Sequence, residues 1–133
     1  MSGFLDTSMV VRYLVRDVKG MADQASEVIE GEDDLWITGV ALAEVSYVLR
    51  SLYRVPREVV IDHLAAFLGK QNIECYGIDK GTVLQALRMC QPSGRTSVAD
   101  ALIWAAARSS GQNVVYSLDA RFPREGIEVR DGL

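Results

Sequence analysis

A chain of 133 residues is the size of one domain with its own core, and 49% hydrophobic with 24% charged residues excludes a disordered polymer. A net charge of −4 excludes a uniformly basic nucleic-acid binder, though not local phosphate contacts. Cys75, Cys90 and the single His63 form no metal or disulfide spacing, so free buried thiols are expected. The start, MSGFLDTS, has no basic segment and its apolar run is broken by Asp6, so neither a signal peptide nor a membrane span is expected.

In chain order, Gly3–Leu5 is a very short strand. Asp6, Thr7 or Ser8 can cap a helix over Met9–Val15, and a second helix runs from about Met21 to Glu30. The acids Glu30, Glu32, Asp33 and Asp34 read as a solvated turn. Leu35–Thr38 is a strand, after which Gly39 turns the chain into a helix over Val40–Tyr53 that carries one acid, Glu44. Pro56 suits the first turn of a helix to Leu68. Ile73–Ile78 is a strand, and Asp79 can cap a helix through about Met89. Gln91–Thr96 is a loop. Val98–Ala107 is apolar on nearly every side, which predicts burial, yet it contains Asp100. A strand at Asn113–Tyr116 leads into Ser117-Leu118-Asp119, and the run IEVR at 127–130 is a last short strand. Alternating strands and helices predict an α/β domain over residues 1–133 with a mainly parallel central sheet.

In such a sheet the strand C-termini share one edge, where ligands bind. Asp6 and Asp119 follow strands, and Glu44 lies in the first two turns of the helix after Leu35–Thr38. Asp100 opens the helix that feeds the Asn113 strand, and only folding can place it. Each acid has a plain alternative: Asp6 as a cap, Ser97-Val98-Ala99-Asp100 as a loose capping box, Asp119 as a turn residue, and Glu44 bonded to an Arg or Tyr. Clustered carboxylates raise one another's pKa, and a divalent cation removes that penalty. Oxygen ligands without His or Cys select Mg²⁺ or Mn²⁺, and the implied chemistry is phosphodiester hydrolysis. Arg12, Arg16, Arg95, Arg121 and Arg124 are candidates to hold flanking phosphates, with Arg121 and Arg124 beside Asp119 the best placed.

The ordered segments FLDTS, ALAEVSYVL, VADALIWAAA and VVYSLDARF resemble the PIN-domain family, and within it the VapC-type toxins of toxin–antitoxin pairs. The resemblance covers essentially the whole chain. It implies a Rossmann-like three-layer α/β/α PIN domain and a cytoplasmic Mg²⁺- or Mn²⁺-dependent endoribonuclease. In that reading Asp6 and Asp100 are direct metal ligands, Glu44 and Asp119 act partly through water, and Ser8 and Ser117 support the carboxylates. Two departures stand out: Ser97 occupies a position where many relatives carry a further acid, and Ser117 replaces a frequent Thr.

The resemblance also implies a homodimer that binds a small antitoxin. The hairpin of helices Val40–Tyr53 and Pro56–Leu68 offers Tyr47, Leu49, Tyr53, Val59 and Phe67 as a receiving groove. The alternatives are a PIN-like binding module without catalysis, or a phosphatase of another α/β family. Phosphoaspartyl chemistry wants an Asp two residues after Asp6, where Ser8 stands. A receiver-type module wants a Lys at the end of a late strand, and the lysines are Lys19, Lys70 and Lys80.

Overall fold

The computed structural model describes residues 1–92 and 95–133. Among them are six helices and five strands, and every strand pairing is parallel. The chain divides into two compact units, Met1–Tyr76 and Gly77–Leu133.

The first unit holds β1 (Gly3–Phe4), α1 (Thr7–Val15), α2 (Lys19–Ile29), β2 (Leu35–Ile37), α3 (Gly39–Ser51), α4 (Arg57–Leu68) and β3 (Ile73–Cys75). Its sheet has the order β1-β2-β3, with Gly3 opposite Leu35 and Trp36 opposite Glu74. Leu5 extends the β1 ladder by donating its N–H to Trp36 O at 2.8 Å. The core is aliphatic: Val10, Ile29, Ile37, Val45, Leu64, Leu68 and Ile73 are fully buried. Such side chains each contribute roughly 1.5–3 kcal/mol on burial.

Local chemistry sets the helix starts. Thr38, rather than Gly39, makes the turn into α3, its hydroxyl accepting the Ala41 N–H at 3.1 Å. Pro56 is the residue before α4, where its missing N–H costs nothing. The acidic turn at 30–34 is exposed as expected, and Asn72 closes it by donating to the carbonyls of Ile29, Gly31 and Asp33.

Two expectations fail in this unit. The strand from Ile73 stops at Cys75 instead of reaching Ile78, and Gly77 takes φ +76°, which cannot continue a strand. Leu49 and Phe67 are 2% exposed, so they belong to the core and not to a receiving groove. The apolar side chains that the α3–α4 hairpin does present are Val40, Tyr47, Leu52 and Val59.

The second unit holds α5 (Lys80–Met89), α6 (Val98–Ser110), β4 (Val114–Tyr116) and β5 (Glu128–Arg130). Asp79 caps α5, as expected, accepting from Thr82 N–H and hydroxyl, both at 2.9 Å. Trp104 is fully buried alongside Val83, Ala86 and Leu87, and its indole N–H donates to Glu125 O at 2.8 Å. Cys90 is buried and Cys75 half-buried, and neither is in a disulfide.

Helix α6 is not buried all round. Ala101, Leu102, Trp104 and Ala105 face the core, while Ala99, Ile103 and Ala106 are exposed. Gly111 ends it in the left-handed region at φ +79°, which glycine adopts without strain. Of the loop at 91–96, Ser93 and Gly94 lie outside the described residues. No described helix is long and apolar enough to cross a membrane.

Candidate active site

Asp6 is the residue where β1 turns into α1. Its extended backbone (φ −82°, ψ 156°) makes it the N-cap, and its Oδ2 accepts the Ser8 N–H at 3.3 Å and the Ser8 hydroxyl at 2.7 Å. The hydroxyl bond, then the backbone bond, holds this carboxyl below the usual carboxylate range. Glu44 projects from the second turn of α3, exposed, with no hydrogen bond or ion pair among the described residues. Both acids line one open hollow of about 330 Å³, whose remaining wall includes Ser8, Val11, Arg12, Val48, Leu52 and Tyr53.

Arg12 in that wall is already engaged. Its Nη1 donates to both Asp17 oxygens at 2.9 and 3.0 Å and to Tyr53 Oη at 3.0 Å, while the Tyr53 hydroxyl donates to Asp17 at 2.8 Å. The bonds from Tyr53 and then Arg12 lower the Asp17 pKa. Sequence spacing places Tyr53 on a partner-docking surface; the structure puts it in the wall of the acid-bearing hollow. No local signal reveals that role, because Tyr53 lies 36 residues from Asp17.

In the second unit, Asp100 is the third residue of α6. Its N–H donates to the capping hydroxyl of Ser97 at 3.0 Å, so half of the capping box forms. Its half-buried carboxylate has no hydrogen-bond or ionic partner among the described residues. Asp119 follows β4 by a short turn in which Ser117 Oγ accepts the Asp119 N–H at 3.0 Å, so Ser117 supports the backbone of this acid rather than its carboxylate. Asp119 Oδ1 accepts the Arg121 N–H at 2.8 Å and Arg121 Nε at 3.2 Å, and these bonds, backbone first, lower its pKa. Asp119 lines a hollow of about 550 Å³ with Ser117, Arg124 and Arg130.

The predicted burial of the helix that carries Asp100, where a carboxylate would be costly, is corrected. The only buried polar or charged side chain among the described residues is Ser46. Asp6 and Glu44 are exposed, and Asp100 and Asp119 are half-buried. In neither unit do three or more His, Cys, Asp or Glu side chains gather as a metal site among the described residues. The structure joins Asp6 to Glu44 in one hollow and describes Asp100 and Asp119 separately.

The family model of the PIN domain matches residues 3–127, and the chain belongs to the PIN-domain family. Six helices and parallel strands are consistent with the three-layer α/β/α class of that family. PIN domains are generally metal-dependent nucleases acting on RNA, so the chain carries a nuclease-like fold. No curated protein matches the chain significantly.

Proposed function

We propose that the chain is a Mg²⁺- or Mn²⁺-dependent endoribonuclease and the toxin of a toxin–antitoxin pair, working in the cytoplasm with residues 1–133 as a single PIN domain. The observation that carries this reading is the PIN match over residues 3–127, a span that contains Asp6, Glu44, Asp100 and Asp119. The donor set supports it. Asp6 and Glu44 face one hollow, Asp6 has no cationic partner, and the Glu44 and Asp100 carboxylates have no hydrogen-bond or ionic partner among the described residues. All four donors are carboxylates, which suits a hard divalent cation.

In this proposal Asp6 and Asp100 hold the ion directly, with Glu44 and Asp119 completing its surroundings. The ion supplies Lewis acidity toward a scissile phosphate and a hydroxide at neutral pH. Ser8 holds the Asp6 carboxylate in its ionised form, and Ser117 shapes the turn that presents Asp119. Arg121 and Arg124 contact RNA, while Arg12 serves first to fix Asp17 and Tyr53.

The partner reading is also ours. An antitoxin helix would dock on the exposed Val40, Tyr47, Leu52 and Val59 of the α3–α4 hairpin, and the toxin would be a homodimer. An RNA cleavage assay with and without Mg²⁺ tests the catalytic claim. The expected outcome is cleavage by the parent that chelation abolishes and that Asp6→Asn and Asp100→Asn each lose. Metal-independent binding with no cleavage would make the chain a binding module. Co-expression with the neighbouring reading frame, followed by size-exclusion chromatography, tests the partner: a chain that elutes alone and is harmless when overproduced is not a toxin.

A further inference from the structure

Arg12, Asp17 and Tyr53 form a closed triangle of hydrogen bonds. Arg12 lies on α1 and Asp17 just past its end, while Tyr53 lies just past the end of α3. Each member bonds both others: Arg12 Nη1 donates to Asp17 and to Tyr53 Oη, and the Tyr53 hydroxyl donates to Asp17. The Arg12 and Asp17 side chains are only 31% and 34% exposed, so the triangle is partly shielded from water. The backbone bends to bring its corners together. Arg16 leaves α1 at φ +58° and Arg54 follows Tyr53 at φ +53°, both in the left-handed region that residues other than glycine rarely adopt. Such a conformation persists where the surrounding structure over-determines it.

Helix α1 packs against α3, and Val10 and Val11 on one and Val45 and Leu49 on the other are buried. Apolar burial is non-directional and does not by itself fix how far one helix slides along the other. Among the described residues, the triangle supplies the only hydrogen bonds between residues 6–17 and residues 39–53. The same two helices carry two of the acids. Asp6 caps α1 and is tied to Ser8 in its first turn, while Glu44 rides on the second turn of α3. Arg12 and Tyr53 line the hollow that both acids line. Any slide of α3 along α1 therefore alters the separation of the two carboxylates.

We propose that Tyr53 is a positioning residue for the acidic site: through Arg12 and Asp17 it sets the register of α3 against α1, and so the spacing of Asp6 and Glu44. The inference rests on the metal-dependent ribonuclease reading above. A small divalent cation makes that spacing matter, because Mg²⁺ demands near-ideal octahedral ligand geometry. In this role Tyr53 acts only through the two acids and makes no contact of its own with metal or RNA.

Calorimetric Mn²⁺ titration and steady-state RNA cleavage by Tyr53→Phe test it, since this change keeps the ring and deletes only the hydroxyl. Mn²⁺ affinity should fall about tenfold, the lower end for loss of a supporting partner. The kcat should fall by about 10- to 100-fold with KM unchanged, as for a small misplacement caused from outside the chemistry. In a Glu44→Gln background the same change should alter Mn²⁺ affinity by no more than about twofold, because the spacing it sets has then lost one of its two acids. Asp17→Asn, which removes the charge that holds Arg12, should reproduce the pattern, and it carries the same comparison should Tyr53→Phe unfold. Equal losses of Mn²⁺ affinity in the parent and Glu44→Gln backgrounds would mean a hydroxyl of structural importance only, and overturn the proposal. So would variants whose metal affinity and kcat match the parent's, with the parent binding Mn²⁺ and cleaving RNA. A parent that neither binds Mn²⁺ nor cleaves RNA overturns the ribonuclease reading, and this role with it.

Discussion

Asp6 and Asp119 each follow a parallel strand, and each accepts bonds from the residue two positions on, but the donors differ in charge. Asp6 is held by the Ser8 hydroxyl and N–H, both neutral; Asp119 is held by the Arg121 N–H and its guanidinium. The cores around them differ as well. The Met1–Tyr76 unit spreads its burial over many aliphatic side chains, whereas in Gly77–Leu133 the largest fully buried side chain is Trp104. The lesson is electrostatic: a hydroxyl steadies a carboxylate while leaving its charge for a ligand, and a guanidinium steadies it by meeting that charge. A cation at Asp6 would meet no competing charge; one at Asp119 would meet the Arg121 guanidinium already on Oδ1.

The sharpest way to break the comparison is through the cores. Trp104→Ala should cost about 3–5 kcal/mol, against about 2–5 kcal/mol for Leu64→Ala in the aliphatic core. Chemical denaturation measures both, and a Trp104→Ala midpoint equal to the parent's would refute the centring of the second unit on this ring. Next come the acids. Asp6→Asn should lower RNA cleavage by about 100-fold or more, the scale of removing one preorganised electrostatic group, and Asp119→Asn by less. Single-turnover kinetics rank the two, and the reverse order would mean that charge compensation does not set their roles.

The supporting residues should move metal affinity in opposite directions. Ser8→Ala should weaken Mn²⁺ binding by about 10- to 100-fold, as loss of an outer-shell partner does. Arg121→Ala should tighten it by no more than about fivefold, since an exposed ion pair is weak competition. Calorimetry gives both signs, and two changes of the same sign would defeat the comparison.

The smallest effect is on acid stability. Asp6, Asp17, Asp79 and Asp119 all have lowered pKa values in the folded chain. Between those values and the ordinary carboxylate value near about 4 the unfolded chain binds more protons. Their stabilisation is therefore complete above that value and is lost as pH falls through the folded pKa values. The melting temperature should stay level from neutral pH to about 5 and drop below about 4. Asp17→Asn should blunt the drop, and a melting temperature that rises on acidification would contradict it.

Much of this was legible from residue order, because it is local. Asp79 capping α5 and Asp6 capping α1 need only a side chain and an N–H two or three residues on. The parallel pairing followed from strands alternating with helices. What escaped depends on distant residues. Asn72 bonds carbonyls some 40 residues away, and the Arg12–Asp17–Tyr53 cluster joins the end of α1 to the end of α3. Leu49 and Phe67 looked surplus to a single buried face, but α3 packs against both α1 and α4, so one stripe was too few. Glu44 stands out in the sequence as the only acid in its helix; its exposure does not, because Tyr47, one turn on, is itself 70% exposed.

The segment between β4 and β5 is tied at both ends. Ser117 N–H donates to Arg130 O at 2.8 Å, while Trp104 and Arg108 reach down from α6 to the carbonyls of Glu125 and Gly126 at 2.8 and 3.0 Å. Gly126 cannot be replaced cheaply, since its φ is +70° and an added Cβ would lie 2.7 Å from Arg108 Nη1. Residues 120–124 thus form a bridge of fixed span, pinned from within as well by the buried Phe122 and Pro123. An engineer could exchange the exposed Ala120, Arg121 and Arg124 like tiles on a fixed frame, while the two buried residues and the anchors keep the surrounding fold in register.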